Sequence, residues 1–402
     1  MCPVHLGLHR AAQGGRHPHR TLAALVSWQN RAPSAAKGIT LQYAPLSFDV
    51  SLQEIFSTLC AGGALRLVPE EIRRDMPALV RLLHRERVER VFVPSIALQQ
   101  LALAAEALGL TPAALRVIVS SGEQLRITDE VRRLCSALPG MVLENQYGPT
   151  ETHVVTRHTL TGPPADFPDL PPVGTAVDGA QVAVVDPRLR AVPPGVTGEL
   201  YLGGATVARG YLGRDDLTKE RFVTLPGRSG RFYRSGDLGF ALPGGDIVCT
   251  GRADTQVKVR GFRVETAEVE LAIRDLVPRH PGIAEVAVVA HNRPGTDTVL
   301  VAFLTGDSST VDTGALRSLL RETLPDYMVP SYVQWLPAMP STPAGNATTP
   351  PCGPSPSKRR PTTTPPRPAP RSRRPSPKSS LTCCICPKSA STTPCSTWVA
   401  PH

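Results

Sequence analysis

The sequence lacks the features of membrane and secreted proteins. None of its apolar runs reaches the roughly 18 residues of a membrane span, and no apolar h-region follows the N-terminus. Its nine cysteines have neither disulfide nor metal-ligand spacing, and the group at Cys383, Cys384, Cys386 and Cys395 lacks two matched C-x₂-C pairs. We therefore expect a soluble cytoplasmic protein with incidental cysteines and no membrane partner.

Acidic residues are absent from the last part of the chain. Residues 341–402 contain nine of the 44 Lys and Arg residues, no Asp or Glu, and 15 of the 42 prolines. The formal net charge of +10 thus arises mainly in a Pro/Ser/Thr/Arg-rich tail and not on a folded basic face. Such a tail buries too little apolar surface to offset its ordering entropy. We expect residues 341–402 to be disordered, and we do not expect a nucleic-acid partner.

Hydrophobic patterning predicts an α/β protein with three differently built parts. Residues 43–160 alternate apolar strands with amphipathic helices, which indicates a largely parallel sheet; the elements expected there are strands at 87–93 and 116–120 and a helix at 96–108. Gly-punctuated segments then predict a small barrel-like sheet, with strands at 180–185, 198–203 and 246–250. After Asp254, a compact α+β domain is expected, with a helix at 266–276 and strands at 257–259, 283–290 and 298–304.

The segment from Asn145 to Glu151, with the sequence NQYGPTE, has the composition of a nucleotide-binding loop. Gly-Pro makes a tight turn that holds an aromatic ring, a hydroxyl and a carboxylate close together. The Tyr147 ring can stack on a base, Thr150 can hydrogen-bond a phosphate, and Glu151 can hold Mg²⁺.

Five further motifs follow in a fixed order: GELYLGG at 198–204, RGY at 209–211, YRSGDL at 233–238, GRADTQVKVRGFRVE at 251–265 and LPDYMVP at 324–330. Over about residues 20–345, this series resembles the adenylate-forming, AMP-binding superfamily. Within it, the sequence is most similar to the amino-acid adenylation domains of nonribosomal peptide synthetases.

The resemblance implies a partial adenylate-forming fold: an α/β N-terminal body, a small β-barrel-like subdomain, a mobile α+β C-terminal domain and a disordered tail. The expected divisions are an irregular segment at 1–20, an AMP-binding core at 21–252 with its β-rich part at about 172–252, a C-terminal domain at 253–340 and the tail at 341–402. The resemblance also places the hinge between the two domains at Asp254, in a short loop of the kind that commonly serves as a hinge.

The resemblance assigns nucleotide roles to eight residues. Tyr147 stacks on adenine, Asp237 accepts both ribose hydroxyls, and Arg252 contacts the nucleotide. The purine pocket includes Gly122 and Glu123, Asn145 belongs to the same site, Thr150 faces phosphate, and Glu151 binds Mg²⁺, so that Thr150 and Glu151 are the catalytic pair. Alternatives are that Asp237 caps a turn and that Arg252 is a solvated surface residue.

The resemblance likewise predicts a substrate pocket. Asp49 matches the carboxylate that pairs with the substrate's α-ammonium group. A buried carboxylate needs such a partner, because an unpaired charge in an apolar site is costly. The alternative role of Asp49 is a helix N-cap. The other lining positions are Val50, Gln53, Phe92, Val119, Ser121, Gln146, Val154 and Val155. This mostly apolar set favours a small or medium apolar amino acid, and its pattern resembles linings associated with proline, except at Ser121 and Gln146.

Two elements of the family are missing. A phosphate loop ending in Pro-Lys-Gly should precede His19, yet residues 8–18 read LHRAAQGGRHP. A lysine that contacts both the carboxylate and the α-phosphate should lie near residue 346, yet no lysine follows Asn346 until Lys358. The backbone amides of such a loop cradle phosphates. We therefore expect poor adenylation by the chain as it stands.

Both gaps are consistent with shifts of reading frame. With permitted codons, residues 8–17 moved by one base read STGRPKGVV, and one G inserted at Asn346 gives GKRDHAAL. The same frame over residues 375–400 reads as the start of a peptidyl carrier domain. We interpret the chain as a truncated adenylation domain that is frameshifted at both ends.

The favoured function is ATP-dependent activation of an amino acid as its adenylate, for nonribosomal synthesis of a secondary metabolite such as an antibiotic. ATP and Mg²⁺ are the expected cofactors, and an amino acid and a peptidyl carrier domain are the expected partners. One alternative is a relic that binds nucleotide or amino acid without turnover. The other is an acyl-CoA ligase, which Asp49 disfavours because fatty and aryl acids have no α-amino group.

Overall fold

The computed structural model describes residues 4–5, 13–35, 37–254, 256–259, 262–277, 282–292 and 298–339. These residues belong to one compact unit that spans residues 1–352. The expected disordered tail at 341–402, the missing-lysine position near 346 and residues 8–12 of the altered segment at 8–18 lie outside the described residues.

The first part of the chain alternates strands and helices. Its elements are β1 (Val4–His5), β2 (Gln13–Gly14), α1 (His19–Gln29), β3 (Ile39–Gln42), α2 (Asp49–Cys60), β4 (Ala64–Leu67), α3 (Glu70–Arg74), α4 (Met76–Arg85), β5 (Arg90–Val93), α5 (Ser95–Leu108), β6 (Val117–Ser120), α6 (Asp129–Ser136), β7 (Val142–Tyr147), β8 (Thr156–Leu160), a short 3₁₀ helix (Pro164–Asp166) and β9 (Thr175–Ala176).

These elements form a seven-stranded sheet in the order β4-β3-β5-β6-β7-β8-β9. Strands β3 to β7 pair in parallel, whereas β8 and β9 are antiparallel. Every residue of β5 and β6 is buried, which is why residues 91–93 and 117–119 read as apolar runs. Leucines of α4, α5 and α6 pack on this sheet and form the largest apolar core, among them Leu79, Leu83, Leu98, Leu101 and Leu134.

The second part is a five-stranded antiparallel sheet. Its elements are β10 (Ala180–Val185), β11 (Gly198–Gly204), α7 (Asp215–Arg221), β12 (Phe222–Val223), β13 (Phe232–Ala241) and β14 (Ile247–Arg252). The ten-residue strand β13 pairs with β11, β12 and β14. This register sets Asp237 directly opposite Arg252.

The third part is an α+β arrangement with its own core. It comprises β15 (Gln256–Val259), β16 (Phe262–Glu265), α8 (Thr266–Asp275), β17 (Ile283–Asn292), β18 (Thr298–Gly306), α9 (Thr313–Thr323) and β19 (Tyr332–Trp335). Strand β18 lies between antiparallel β17 and parallel β19. The Phe262 ring stacks on Tyr327 at 3.8 Å and meets the Phe48 ring edge-on at 4.9 Å between centroids, so this part contacts the loop before α2.

The predicted mixed α/β fold is confirmed, and strand ends differ from the expected bounds by a few residues at most. The expected strand at 87–93 begins only at Arg90, because Arg87 has a positive φ of 51° and ends the turn after α4. Within the described residues, no helix is both long and apolar enough to cross a membrane.

A buried glutamate holds the loop that leads into α2. Glu54 is fully buried, and its carboxyl oxygens accept hydrogen bonds from the backbone N–H groups of Tyr43 and Ala44 at 3.1 Å. The side-chain amide of Gln42 donates a further, longer bond of 3.3 Å. Burial raises the pKa of Glu54 to about 8, although these donors oppose the shift.

This raised pKa predicts a pH dependence of stability. Between pH 4.5, the ordinary pKa of the group, and about pH 8, Glu54 keeps its proton in the folded chain and loses it in the unfolded chain. The free energy of unfolding therefore falls as pH rises, by at most ~1.4 kcal/mol per pH unit. We expect E54Q to remove this component. Urea unfolding between about pH 5 and pH 8 should give a flatter slope for E54Q than for the wild type.

The matched control is E71Q, which alters an exposed glutamate of α3 and should keep the wild-type slope. Equal pH slopes for E54Q and the wild type would contradict the assignment.

Candidate functional site

A cavity of about 870 Å³ opens beyond the carboxyl ends of β6 and β7, where ligands bind in open parallel sheets. This volume is within the usual range for a small-molecule site. Six of the eight residues expected at the nucleotide site line it: Gly122, Glu123, Asn145, Tyr147, Asp237 and Arg252. The third part of the chain adds lining residues from β15, including Gln256 and Lys258.

Tyr147 and Asp237 meet in the lining of this cavity. The Tyr147 hydroxyl donates a hydrogen bond of 2.6 Å to Asp237 Oδ2. Burial, reinforced by the Asp237 charge, raises the pKa of Tyr147 well above its usual value, so the phenol stays protonated and remains a donor. Residues 90 positions apart in sequence are thus held together in one polar contact.

Arg252 ties the same carboxylate to the start of the third part. Its Nη1 donates to Asp237 Oδ1, and its Nε and Nη2 make a bidentate pair with Asp254 at 2.7 and 2.9 Å. Nη2 also donates to Gln256 Oε1 at 2.6 Å. Partial burial opposes ionisation of Asp254, but Arg252 outweighs it and the pKa of Asp254 is lowered.

Thr150 and Glu151 are not among the residues that line this cavity. Glu151 is buried, and its Oε1 accepts a hydrogen bond of 2.6 Å from the Tyr211 hydroxyl. The Thr150 carbonyl accepts a bond of 2.7 Å from His17 Nε2. Burial lowers the pKa of His17, so the segment before α1 packs against this loop with a neutral ring.

Asp49 begins α2, and its Oδ1 accepts a hydrogen bond of 2.8 Å from the N–H of Val50. The Asp49 carbonyl accepts a bond of 3.0 Å from His153 Nε2, while His153 Nδ1 accepts from the N–H of Val154. These two bonds require the neutral tautomer with its proton on Nε2. They connect the loop that holds Thr150 and Glu151 to the start of α2.

The apolar residues of the expected substrate pocket fall into three clusters. Phe92 and Val119 pack together with half-buried Val50. Val154 instead packs with Leu25 and Trp28 of α1, together with Ala32 and Val177. Val155 packs beside Tyr147 against the second sheet. Ser121 is half-buried after β6, so the structure brings Phe92, Val119 and Val50 together and sends Val154 and Val155 in different directions.

The two glutamines of the expected pocket belong to a buried polar network. Gln53 Nε2 donates to Gln146 Oε1 at 2.9 Å and to Gln29 Oε1 at 2.6 Å. Gln146 Nε2 donates to Glu144 Oε2 at 2.8 Å, and Ser34 Oγ donates to the same oxygen at 2.7 Å. Sequence reasoning missed Gln29, Ser34 and Glu144; the only signal was that Glu144 and Gln146 share a face of β7.

Lys258 is a further residue that sequence reasoning missed. Its Nζ lies 5.9 Å from the centroid of the Tyr147 ring, within the range of a cation–π contact, and it lines the cavity. Its place in the motif GRADTQVKVRGFRVE was a usable signal, because the neighbouring Arg252 was assigned from that motif.

Comparison with known proteins identifies the relatives of this chain. The AMP-binding enzyme family matches residues 14–212, and the AMP-binding enzyme C-terminal domain matches residues 274–346. The chain belongs to the AMP-binding enzyme family. It is therefore related to ligases that form adenylates.

Among curated relatives, gramicidin S synthase 2 of Brevibacillus brevis is 39% identical over 306 residues, which is 76% of this chain and 7% of that protein. This chain thus spans a small fraction of the length of the curated relative. AlmE of Vibrio cholerae, an adenylation domain solved with glycyl-adenosine-5'-phosphate, has a TM-score of 0.72 at 25% identity, covering 86% of this chain and 64% of AlmE. NpsA-ThdA of Klebsiella oxytoca, an artificially fused adenylation–PCP di-domain, has a TM-score of 0.66 at 26% identity, covering 82% of this chain and 64% of NpsA-ThdA.

The Tyr147–Asp237 contact gives a direct test of the site's geometry. Y147F keeps the ring and removes the donor to a buried carboxylate, so we expect a loss of about 1.5–3 kcal/mol in the free energy of unfolding. D237N should make Y147F less costly, because the acceptor charge is already gone. A double-mutant cycle measured by urea unfolding isolates the pair, and effects that add within about 0.5 kcal/mol would show that the two side chains do not interact.

Proposed function

We propose that this chain binds ATP and an amino acid and joins them as an aminoacyl-adenylate. A carboxylate oxygen of the amino acid forms a bond to the α-phosphorus, the bond from that phosphorus to the bridging oxygen breaks, and pyrophosphate leaves. The observation that carries the proposal is the cavity in which Tyr147, Asp237 and Arg252 meet. Its lining brings together three motifs that are far apart in the sequence.

Asp237 is suited to hold a ribose. An ionised carboxylate offers about four lone-pair positions, and here Tyr147 and Arg252 each occupy one, on different oxygens. Each oxygen keeps a position for one ribose hydroxyl. Gly122, Glu123 and Asn145 line the same cavity and are proposed to surround the purine that stacks on Tyr147. Arg252 and Lys258 then supply positive charge near the nucleotide.

Glu151 is the residue that we propose to bind Mg²⁺, with Thr150 beside it facing phosphate. No cluster of three acidic, His or Cys side chains suited to a metal occurs in the part of the chain that the structure describes. One carboxylate still fits Mg²⁺, which commonly takes one or two carboxylates and completes its shell with substrate phosphates and water. When bound, the ion would neutralise charge on the phosphates.

For the amino acid, we propose that Asp49 pairs with the α-ammonium group. Phe92, Val119 and Val50 offer an apolar wall. The side-chain N–H groups of Gln53 and Gln146 all donate to other buried side chains, so they leave no bare N–H group to oppose an apolar side chain. We therefore propose a small or medium apolar substrate, with proline as the specific candidate.

The domain division that we propose is an AMP-binding core at 21–252 and a C-terminal domain at 253–340 joined at Asp254. Arg252 clamps Asp254 with two hydrogen bonds, which suits a residue that holds one of two domain orientations. A peptidyl carrier domain is the proposed acceptor of the activated amino acid, because the structurally similar protein PA1221 contains adenylation and PCP domains.

Two other functions are weighed against this one. A relic that binds ligands without turnover fits the absent phosphate loop and lysine, and it differs from the first proposal only in rate. An acyl-CoA ligase would have no use for the Asp49 carboxylate, which lies at the start of α2 beside the proposed nucleotide loop.

Matched variants at the two carboxylates test the proposal. D237A should weaken AMP binding by roughly 10²-fold and leave amino-acid binding unchanged, whereas D49A should do the opposite, because each removes a different charged partner. Calorimetry with AMP and with L-proline, L-leucine and L-glutamate measures both. If D49A weakened both ligands equally, Asp49 would not be the ammonium partner.

The chain as it stands should exchange pyrophosphate slowly. A lysine that meets charge on the α-phosphate acts in the transition state, and loss of such a donor costs roughly 10²–10³-fold in rate. Restoring both reading frames should recover ATP–pyrophosphate exchange and supply the start of a carrier domain. Equal rates for the original and repaired chains would refute the impairment.

A further inference from the structure

In the buried network behind the proposed amino-acid pocket, the hydrogen bonds are all donated in one direction, toward Glu144. Gln53 uses both amide hydrogens, to Gln146 Oε1 and Gln29 Oε1. Gln146 also uses both, to Glu144 Oε2 at 2.8 Å and to Gln29 Oε1 at 3.2 Å. Gln29 Nε2 donates to Ser34 Oγ at 2.5 Å, and Ser34 Oγ donates to Glu144 Oε2 at 2.7 Å. Both routes end on the same carboxylate oxygen.

All five side chains of this network are buried, with relative exposures of 0% to 2%. A buried amide that loses its hydrogen-bond partner costs about 1–3 kcal/mol of stability. No side chain of the network can therefore change its orientation without a large penalty. Glu144 also lies 3.7 Å from the guanidinium of Arg157, measured from its Oε1. That oxygen makes no hydrogen bond among the described residues.

An ionised carboxylate only accepts hydrogen bonds. Gln146 must therefore turn its NH₂ group toward Glu144, which turns its oxygen toward Gln53. Gln53 must in turn point its NH₂ group at Gln146 and Gln29. Within this network, Gln53 Oε1 accepts no hydrogen bond, whereas Gln146 Oε1 accepts one from Gln53.

We propose that Glu144, acting through Gln146 and Gln53, is a positioning residue that sets side-chain selectivity, a role that rests on the proposed amino-acid activation. The network uses every N–H group of the two pocket amides and leaves only an acceptor. The pocket therefore tolerates apolar side chains and rejects carboxylate side chains, which would meet an oxygen and no donor. Ser34 and Gln29 support the same orientation from the other side.

The substitution E144Q removes the control that Glu144 has over the orientation of the Gln146 and Gln53 amides. An amide can donate as well as accept, so in E144Q the Gln146 amide can rotate by half a turn and keep a hydrogen bond to residue 144. Gln53 would follow, and an N–H group would become available to the substrate. The shape of the pocket would be unchanged, because glutamate and glutamine have nearly the same volume.

The experiment compares three probes on the full chain: AMP and two non-hydrolysable aminoacyl sulfamoyl-adenosines, one with a prolyl and one with a glutamyl group. In E144Q, we expect the preference for the prolyl over the glutamyl probe to fall by roughly tenfold, the effect of about 1.4 kcal/mol. The affinity for AMP should not change. Calorimetric titration gives all three dissociation constants.

The control for folding is S34A, which removes one donor to Glu144 and keeps its charge. It should retain the wild-type preference or lose at most a small part of it, and it keeps the test open if E144Q does not fold. E144D keeps an acceptor-only group and should restore most of the selectivity that E144Q loses, which a merely structural role would not predict.

An unchanged prolyl-to-glutamyl ratio in E144Q, with AMP still bound, would overturn the positioning role. A larger loss of selectivity in S34A than in E144Q would overturn it as well. Failure of the unaltered chain to bind AMP would instead count against the proposed function on which this role rests.

Discussion

The alternation of side chains along β7 is the constraint on which the arrangement of this molecule depends. Successive residues of a strand point to opposite faces of a sheet. On one face, Tyr147 reaches Asp237 and Asn145 donates to the carbonyl of Pro172 at 2.8 Å. On the other, Glu144 and Gln146 join the buried amide network. One six-residue strand therefore contributes both to the cavity around Tyr147 and to the buried amide network, and Gln146 of that network also lines the cavity.

The order and spacing of motifs were enough to predict the family and the mixed α/β fold, because those motifs are local patterns. Of the distant residues that they assigned to one site, Gly122, Tyr147, Asp237 and Arg252 line one cavity, whereas Thr150 and Glu151 do not line it. The buried network could not be predicted in this way. Gln29 lies on α1 and Ser34 in the loop that follows, and nothing in either local sequence says that a polar side chain there will be buried against β7.

Burial also changes what the predicted pocket residues can do. The sequence places Gln53 and Gln146 among the lining residues of the expected amino-acid pocket, but it does not reveal their hydrogen-bond partners. In the structure, the Gln53 amide donates to Gln146 and Gln29, and the Gln146 amide donates to Glu144 and Gln29. All N–H groups of the two side chains are therefore used inside the protein. Val154 and Val155 show that the sequence does not reveal packing partners either. The family resemblance assigned both residues to one pocket, but they pack in different clusters.

Arg252 connects the site to the third part of the chain. A residue that only contacted the nucleotide would not need this connection. Its guanidinium bonds Asp237, Asp254 and Gln256 at once, a geometry that only a planar group with several fixed donors can satisfy. Any rotation about Asp254 that moves β15 must therefore break or exchange bonds on the same group that holds Asp237. The position of the third part and the Asp237 carboxylate, which we propose to bind ribose, are coupled through one side chain. A nucleotide that engages Asp237 therefore has a physical route by which to bias that position.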